Sequence, residues 1–141
     1  MRTRICGALA VLGLLSCQDP HGPALMVQMD STVYGRDSTG MAHAGFTVTN
    51  FGDAPAYQQG CERPATILVD RGTARGWAAS FGAEGCMLGD VSLSQVLQPG
   101  QSYQDSCRWD LPGTYRVRVP YGSQPGDAYA LEAVGPGFTL R

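Results

Sequence analysis

Strict alternation of apolar and polar residues, turn formers at short intervals and the lack of any sustained helical period predict an all-β chain. The architecture they predict is an antiparallel β-sandwich of about seven to nine short strands. From Ala24 onward the period is two: Leu25, Val27 and Met29 alternate with Met26, Gln28 and Asp30, Phe46 and Val48 with Thr47 and Thr49, and Tyr115, Val117 and Val119 with Arg116 and Arg118. Successive side chains of a strand leave opposite faces, so this pattern describes strands with one core face and one wet face. Residues 35–40, 50–55, 98–100 and 121–126 are clusters of Gly, Pro, Asp, Asn and Ser that break the runs. Residues 67–70, 91–97, 101–110 and 138–141 supply further extended candidates. The chain shows no internal repeat and no low-complexity tract.

The N-terminus has a different character. Arg2 and Arg4 precede an apolar run from Ile5 to Leu15, followed by Ser16 and Cys17. This start resembles the signal of bacterial lipoproteins. The resemblance implies cleavage before Cys17 and a thioether-linked diacylglycerol on that cysteine, usually with an acyl chain on its amino group; several chains make anchoring durable. A spanning helix needs roughly 20 apolar residues, whereas this run ends in Gln18, Asp19 and Pro20. The expected organisation is therefore a signal peptide at 1–16, a lipidated tether at 17–23 and one β-sandwich domain at 24–141. Two prolines and a glycine keep the tether out of regular structure, and its shortness places the domain close to the bilayer. Gln18 rather than Asp after the cysteine favours the outer membrane of the envelope, if the host has one.

Of 141 residues, 125 remain after removal of the signal, enough for one ordinary domain. All ten basic residues are arginine; eight of them stay in the mature chain against twelve acidic residues, a formal charge of −4. The arginines are scattered, and an acidic chain without a cationic cluster argues against nucleic acid as a partner. With no lysine, any mechanism that needs one is excluded.

Residues 110–119, Asp-Leu-Pro-Gly-Thr-Tyr-Arg-Val-Arg-Val, resemble the corner before the penultimate strand of immunoglobulin-like domains. There a glycine, here Gly113, makes the bend, and a tyrosine, here Tyr115, turns its hydroxyl back to upstream backbone. With Phe46-Thr-Val-Thr-Asn50 and the Pro99-Gly100 turn, the layout is similar to the intracellular proteinase inhibitor family of bacilli and to related immunoglobulin-like envelope domains, over most of residues 41–121. Val117 stands where antibody domains place a cysteine, so their intersheet disulfide is absent. The resemblance implies a fold, and folds of this kind host many functions.

Once Cys6 is cleaved off and Cys17 is lipidated, Cys61, Cys86 and Cys107 remain, and three thiols cannot all pair within one chain. In an oxidising envelope, Cys61 with Cys86 is the favoured disulfide. Closing those residues into a loop contributes about 3.5 kcal/mol in the loop-entropy model. Cys107, on a strand beside Trp109, then reads as a buried, inert thiol.

Cysteine catalysis would need a neighbouring histidine, and His43, the one histidine inside the domain, alternates onto the face opposite Phe46 and Val48. There is no Gly-x-Ser-x-Gly elbow. Met41 and His43 lie on the same side of a strand as soft donors, but one histidine is too few for a blue-copper site. Asp37, Asp53 and Asp127 form no dense oxygen cage for calcium. Trp77 and Trp109 are expected in the core, and Tyr57, Tyr121 and Tyr129, near turns, at the surface.

The expected function is that of a non-catalytic, cofactor-free envelope protein. It would be anchored to the lipid bilayer through Cys17 and would bind or support an unidentified envelope protein or ligand. The alternatives are a protease inhibitor presenting residues 61–86 as its loop and, third, a Cu(I)-binding protein.

Overall fold

Two nine-residue strands, Ala42–Asn50 and Gly113–Tyr121, carry the longest alternation in the chain, and each becomes the centre of one sheet. The computed structural model describes residues 21–60, 65–82, 92–127 and 130–141. Among them are eleven strand segments and no helix: β1 (Leu25–Met29), β2 (Val33–Tyr34), β3 (Ala42–Asn50), β4 (Ala56–Gly60), β5 (Leu68–Thr73), β6 (Gly76–Gly82), β7 (Ser92–Leu97), β8 (Ser102–Trp109), β9 (Gly113–Tyr121), β10 (Leu131–Val134) and β11 (Phe138–Leu140).

One sheet has the order β1-β3-β8 and the other β2-β11-β9-β5-β6, with β10 also on β9. β10 runs along residues 118–121 of β9 and β11 along residues 113–115. The two are one strand alongside β9 broken at Gly135-Pro136-Gly137, where Gly135 N–H still donates to the Val117 carbonyl at 2.8 Å. This break and the two-residue β2 explain why the segments outnumber the seven to nine expected. β2 lies parallel to β11, the exception among otherwise antiparallel pairs, because the chain crosses from the first sheet to the second between β1 and β2. The Tyr34 hydroxyl holds that crossing: it reaches the Asp30 carboxylate and the Gly45 carbonyl and accepts from Ser31 N–H. β4 and β7 form a separate pair with a bulge at Gln58/Gln59, and a bridge from Tyr57 to Gly122 ties it to the end of β9. The architecture is an immunoglobulin-like β-sandwich.

The alternation resolves as a core between the sheets. Leu25, Val27, Ala42, Ala44, Phe46, Val48 and Cys107 face inward from the first sheet, and Val69, Tyr115, Val117, Val119, Tyr121, Ala133, Phe138 and Leu140 from the second. Each large apolar side chain buried in this way contributes about 1.5–3 kcal/mol. Tyr121 is a correction. The glycine-rich segment after it suggests a surface position, yet Tyr121 continues the 115, 117, 119 phase and is fully buried.

The corner at Gly113 has a physical basis. The Tyr115 hydroxyl donates to the Leu111 carbonyl at 3.1 Å, four residues upstream. Gly113 has φ +154°, a backbone conformation that favours glycine, and an added Cβ would stand 3.3 Å from both Arg71 Nε and the Tyr115 ring. At the opposite end, buried Asn50 closes the sandwich. Its carboxamide donates to the carbonyls of Ala54 (2.8 Å) and Leu97 (2.9 Å) and accepts from the N–H groups of Ala24 (3.2 Å) and Gly52 (3.0 Å). All the hydrogen-bonding directions of the side chain are used, which is what makes a buried amide tolerable.

Candidate binding face

The inward residues of β5 and β9 leave a second set, of opposite phase, on the outer face of the larger sheet. On β9 it comprises Thr114, Arg116 and Arg118; on β5 it comprises Leu68, Asp70 and Gly72. The register sets Asp70 directly opposite Arg116 and Leu68 opposite Arg118. Asp70 Oδ2 accepts from Arg116 Nε at 2.8 Å and Oδ1 from Arg118 Nε at 3.0 Å, so one carboxylate is wedged between two guanidinium groups. Arg118 Nη1 goes on to donate to Glu132 Oε1 of β10 at 2.7 Å. The Asp70 side chain is only 5% exposed, while those of Arg116 and Arg118 are 28% and 22% exposed. These are short, charge-assisted bonds around a nearly dry anion, and two cations meet two anions.

Beside this network lies Trp77. Its strand, β6, pairs with β5 so that Trp77 faces Gly72. The indole also lies next to Gly137 across the sheet, and a Cβ on either glycine would stand 3.7 or 3.4 Å from it. Arg116 Cζ is 4.7 Å from the ring centroid, a cation–π contact that clamps the ring. Trp77 remains 41% exposed. An open depression lined by Gly72, Thr73, Ala74, Gly76, Trp77 and Thr114 flanks it. Val33 and Val134 add exposed apolar surface, each opposite a residue of the same face, Thr139 and Arg118 respectively. The face carries a clamped aromatic side chain beside an open depression and balances the charges of Asp70, Arg116, Arg118 and Glu132 locally. An aromatic group already fixed loses little entropy on contact.

The expectation of a core Trp77 is therefore corrected. Residues 68–82 form the β5–β6 hairpin, and the phase of β6 puts the indole outside. The stretch expected as a presented loop at 61–86 is, over residues 68–82, a paired hairpin around a turn at Gly76, φ +113°. Trp109 does pack against the core, 5.8 Å from Tyr115 between ring centroids.

Cys17, Cys61 and Cys86 lie outside the described residues, as does Tyr129. Cys107 is buried on β8 with its sulfur 3.6 Å from the Ala44 carbonyl. Burial, and secondarily the charge of Asp105, pushes its thiol up to about 12, far from thiolate chemistry at neutral pH. His43 is exposed, on the opposite face of β3 from Ala44, with Nε2 3.2 Å from Asp37 Oδ2. The structure thus separates Cys107 from the domain's histidine. Among the described residues no group of three His, Cys, Asp or Glu side chains is arranged to hold a metal ion.

The sequence carries only part of the signal for the Asp70–Arg116–Arg118–Glu132 network: arginines two apart on one strand share a face, and a lone Asp ends an apolar run.

No protein-family model and no curated protein matches this chain. Among solved structures it is similar to a CARDB domain from Pyrococcus furiosus, crystallised in complex with di-metal ions. That match has 14% identity and a TM-score of 0.45, and covers 94% of this chain and all of that one. It is also similar to a Bordetella pertussis protein described as ApaA, with 19% identity, a TM-score of 0.49, and 86% and 96% of the two chains covered. A β-glucosidase from Listeria innocua matches with 13% identity and a TM-score of 0.39 over 84% of this chain but 16% of its own.

Proposed function

We propose that this protein is a lipid-anchored, non-catalytic binding module of the bacterial cell envelope, held to the bilayer through acylated Cys17 and engaging a partner protein through the outer face around Trp77. The observation that carries the reading is that Trp77 is exposed and yet fixed, set against Gly72 and Gly137 and clamped by Arg116. Large, immobilised aromatic side chains with an adjacent arginine are the residues that dominate binding energy at interfaces. The lipoprotein-like residues 1–17 support the anchor.

The face is tested by placing a photo-crosslinking amino acid at Val33 or Val134, and for comparison at Met26 on the other sheet, in the source bacterium. A discrete crosslinked species from the first two positions that disappears with Trp77→Ala is expected. Equal crosslinking from Met26, or indifference to Trp77→Ala, refutes the face. The anchor has its own test: Cys17→Ala should leave an unprocessed precursor or a protein released from membranes, since acyl chains supply about 0.8 kcal/mol per buried methylene.

A further inference from the structure

Phe51 is 66% exposed, the most exposed of the large apolar side chains among the described residues. It sits in the turn between β3 and β4, and its position is held on several sides. Its N–H donates to the Ala24 carbonyl at 2.8 Å. The preceding Asn50 side chain binds Ala24, Gly52, Ala54 and Leu97. The following Gly52 lies so close to the incoming chain that an added Cβ would stand 2.3 Å from the Gly22 carbonyl oxygen. His21 Nδ1 lies 3.0 Å from Asp53 Oδ2 in the same turn. The ring thus projects from a rigid turn fastened to residues 21–24, the point at which the tether enters the domain.

Cys17 is four residues before His21, and four residues of extended chain reach at most about 14 Å. A lipid on Cys17 therefore brings this end of the sandwich to the bilayer surface, with Phe51 at the junction. Residues 50–55 and 98–101, turns that lie side by side at this end, contain no Lys or Arg, so they offer Phe51 to a membrane by apolar contact rather than by attraction to anionic headgroups.

We infer that Phe51 is a membrane-contacting residue whose ring enters the headgroup boundary of the phospholipid bilayer and fixes which end of the domain faces it. This rests on the Cys17 anchor proposed above. Phenylalanine is among the apolar side chains that enter the headgroup/acyl boundary from proteins lying on a bilayer, and one ring adds orientation to an anchor that already supplies the affinity. β3 spans about 26 Å along its axis and leads from this end to the one carrying Leu111 and the β5–β6 turn, so the Trp77 end of the outer face would stand away from the lipid.

The test uses the lipidated mature protein in phosphatidylethanolamine/phosphatidylglycerol vesicles with plain or brominated acyl chains, which quench indole fluorescence on contact. Native Trp77 and Trp109 lie towards the far end, so wild-type emission should be the same in both vesicles. Phe51→Trp should add a component that brominated lipid quenches. Leu111→Trp, an exposed apolar position at the opposite end, should add one that it does not. If Phe51→Trp is unquenched while the protein remains on vesicles through Cys17, the inference falls and the anchor stands. Equal quenching at positions 51 and 111 also overturns it, because the domain then has no fixed orientation. If a Cys17→Ala protein binds the vesicles as well as wild type, the anchor falls and the inference with it.

Discussion

Replacing Asp70 by alanine removes the carboxylate that both Arg116 and Arg118 hold, at 2.8 and 3.0 Å. Loss of one partner of a fully buried ion pair costs about 3–5 kcal/mol, chiefly through the charge left behind. Here the stranded guanidinium groups are about a quarter exposed and Arg118 keeps Glu132, so water and the remaining anion recover part of that, and about 2–3 kcal/mol is expected. The assay is urea unfolding with the slope required to stay constant, so that a midpoint shift reports stability. A double-mutant cycle with Arg116→Ala should give a coupling of about 1–2 kcal/mol. Because Arg116 also clamps the Trp77 ring, the anisotropy of Trp77 emission should fall in Asp70→Ala even where the protein is fully folded. A loss under about 1 kcal/mol, or unchanged Trp77 mobility, would refute the reasoning that the buried carboxylate organises this face.

Cys107 should resist alkylation at neutral pH in the native protein and react only on unfolding, because burial holds its thiol at about 12; rapid native labelling would contradict this. Tyr115→Phe should cost about 1 kcal/mol by removing the bond to Leu111. Gly113→Val should cost more in the same denaturation assay, because strain at φ +154° adds to its contact with Arg71. Asp37, whose carboxylate accepts from the Thr39 hydroxyl and N–H and from Met41 N–H, is held down at about 2. Its stabilising effect should be complete above its unfolded value of about 3.9 and should disappear as pH falls through about 2. Carbon NMR of that carboxyl gives the midpoint directly, and a midpoint at the unfolded value would exclude the turn's hydrogen bonds.

Where one strand's own pattern determines the outcome, the sequence was legible. The phases of β1, β3 and β9 predict which side chains form the core, and the segment 110–119 marks the corner that Gly113 and Tyr115 occupy. The misplaced residues depend on something longer in range or were read from composition. Size and aromaticity place Trp77 in the core, but its side follows from the phase of β6, a strand whose residues 76–82 show no clear alternation in the sequence. The glycine-rich neighbours of Tyr121 point to the surface, while alternation from Tyr115 carries it inward. The Asp70 network joins residues 46 and 48 positions apart, and the β5–β9 register that brings them together has no local signature.

The break at Gly135-Pro136-Gly137 bears on how copies of this protein tolerate one another. Unbroken, residues 131–140 would present a long straight margin of backbone donors and acceptors, the feature by which sheets of separate molecules zip together. Pro136 has no N–H to offer, β10 ends after four residues, and β2 covers β11. Were the protein held to a bilayer through Cys17, as proposed above, copies would meet sideways at high local density, the situation that favours lateral strand exchange. A margin cut to four residues gives a neighbour too short a ladder to hold, so this side of the larger sheet is a poor template for another copy.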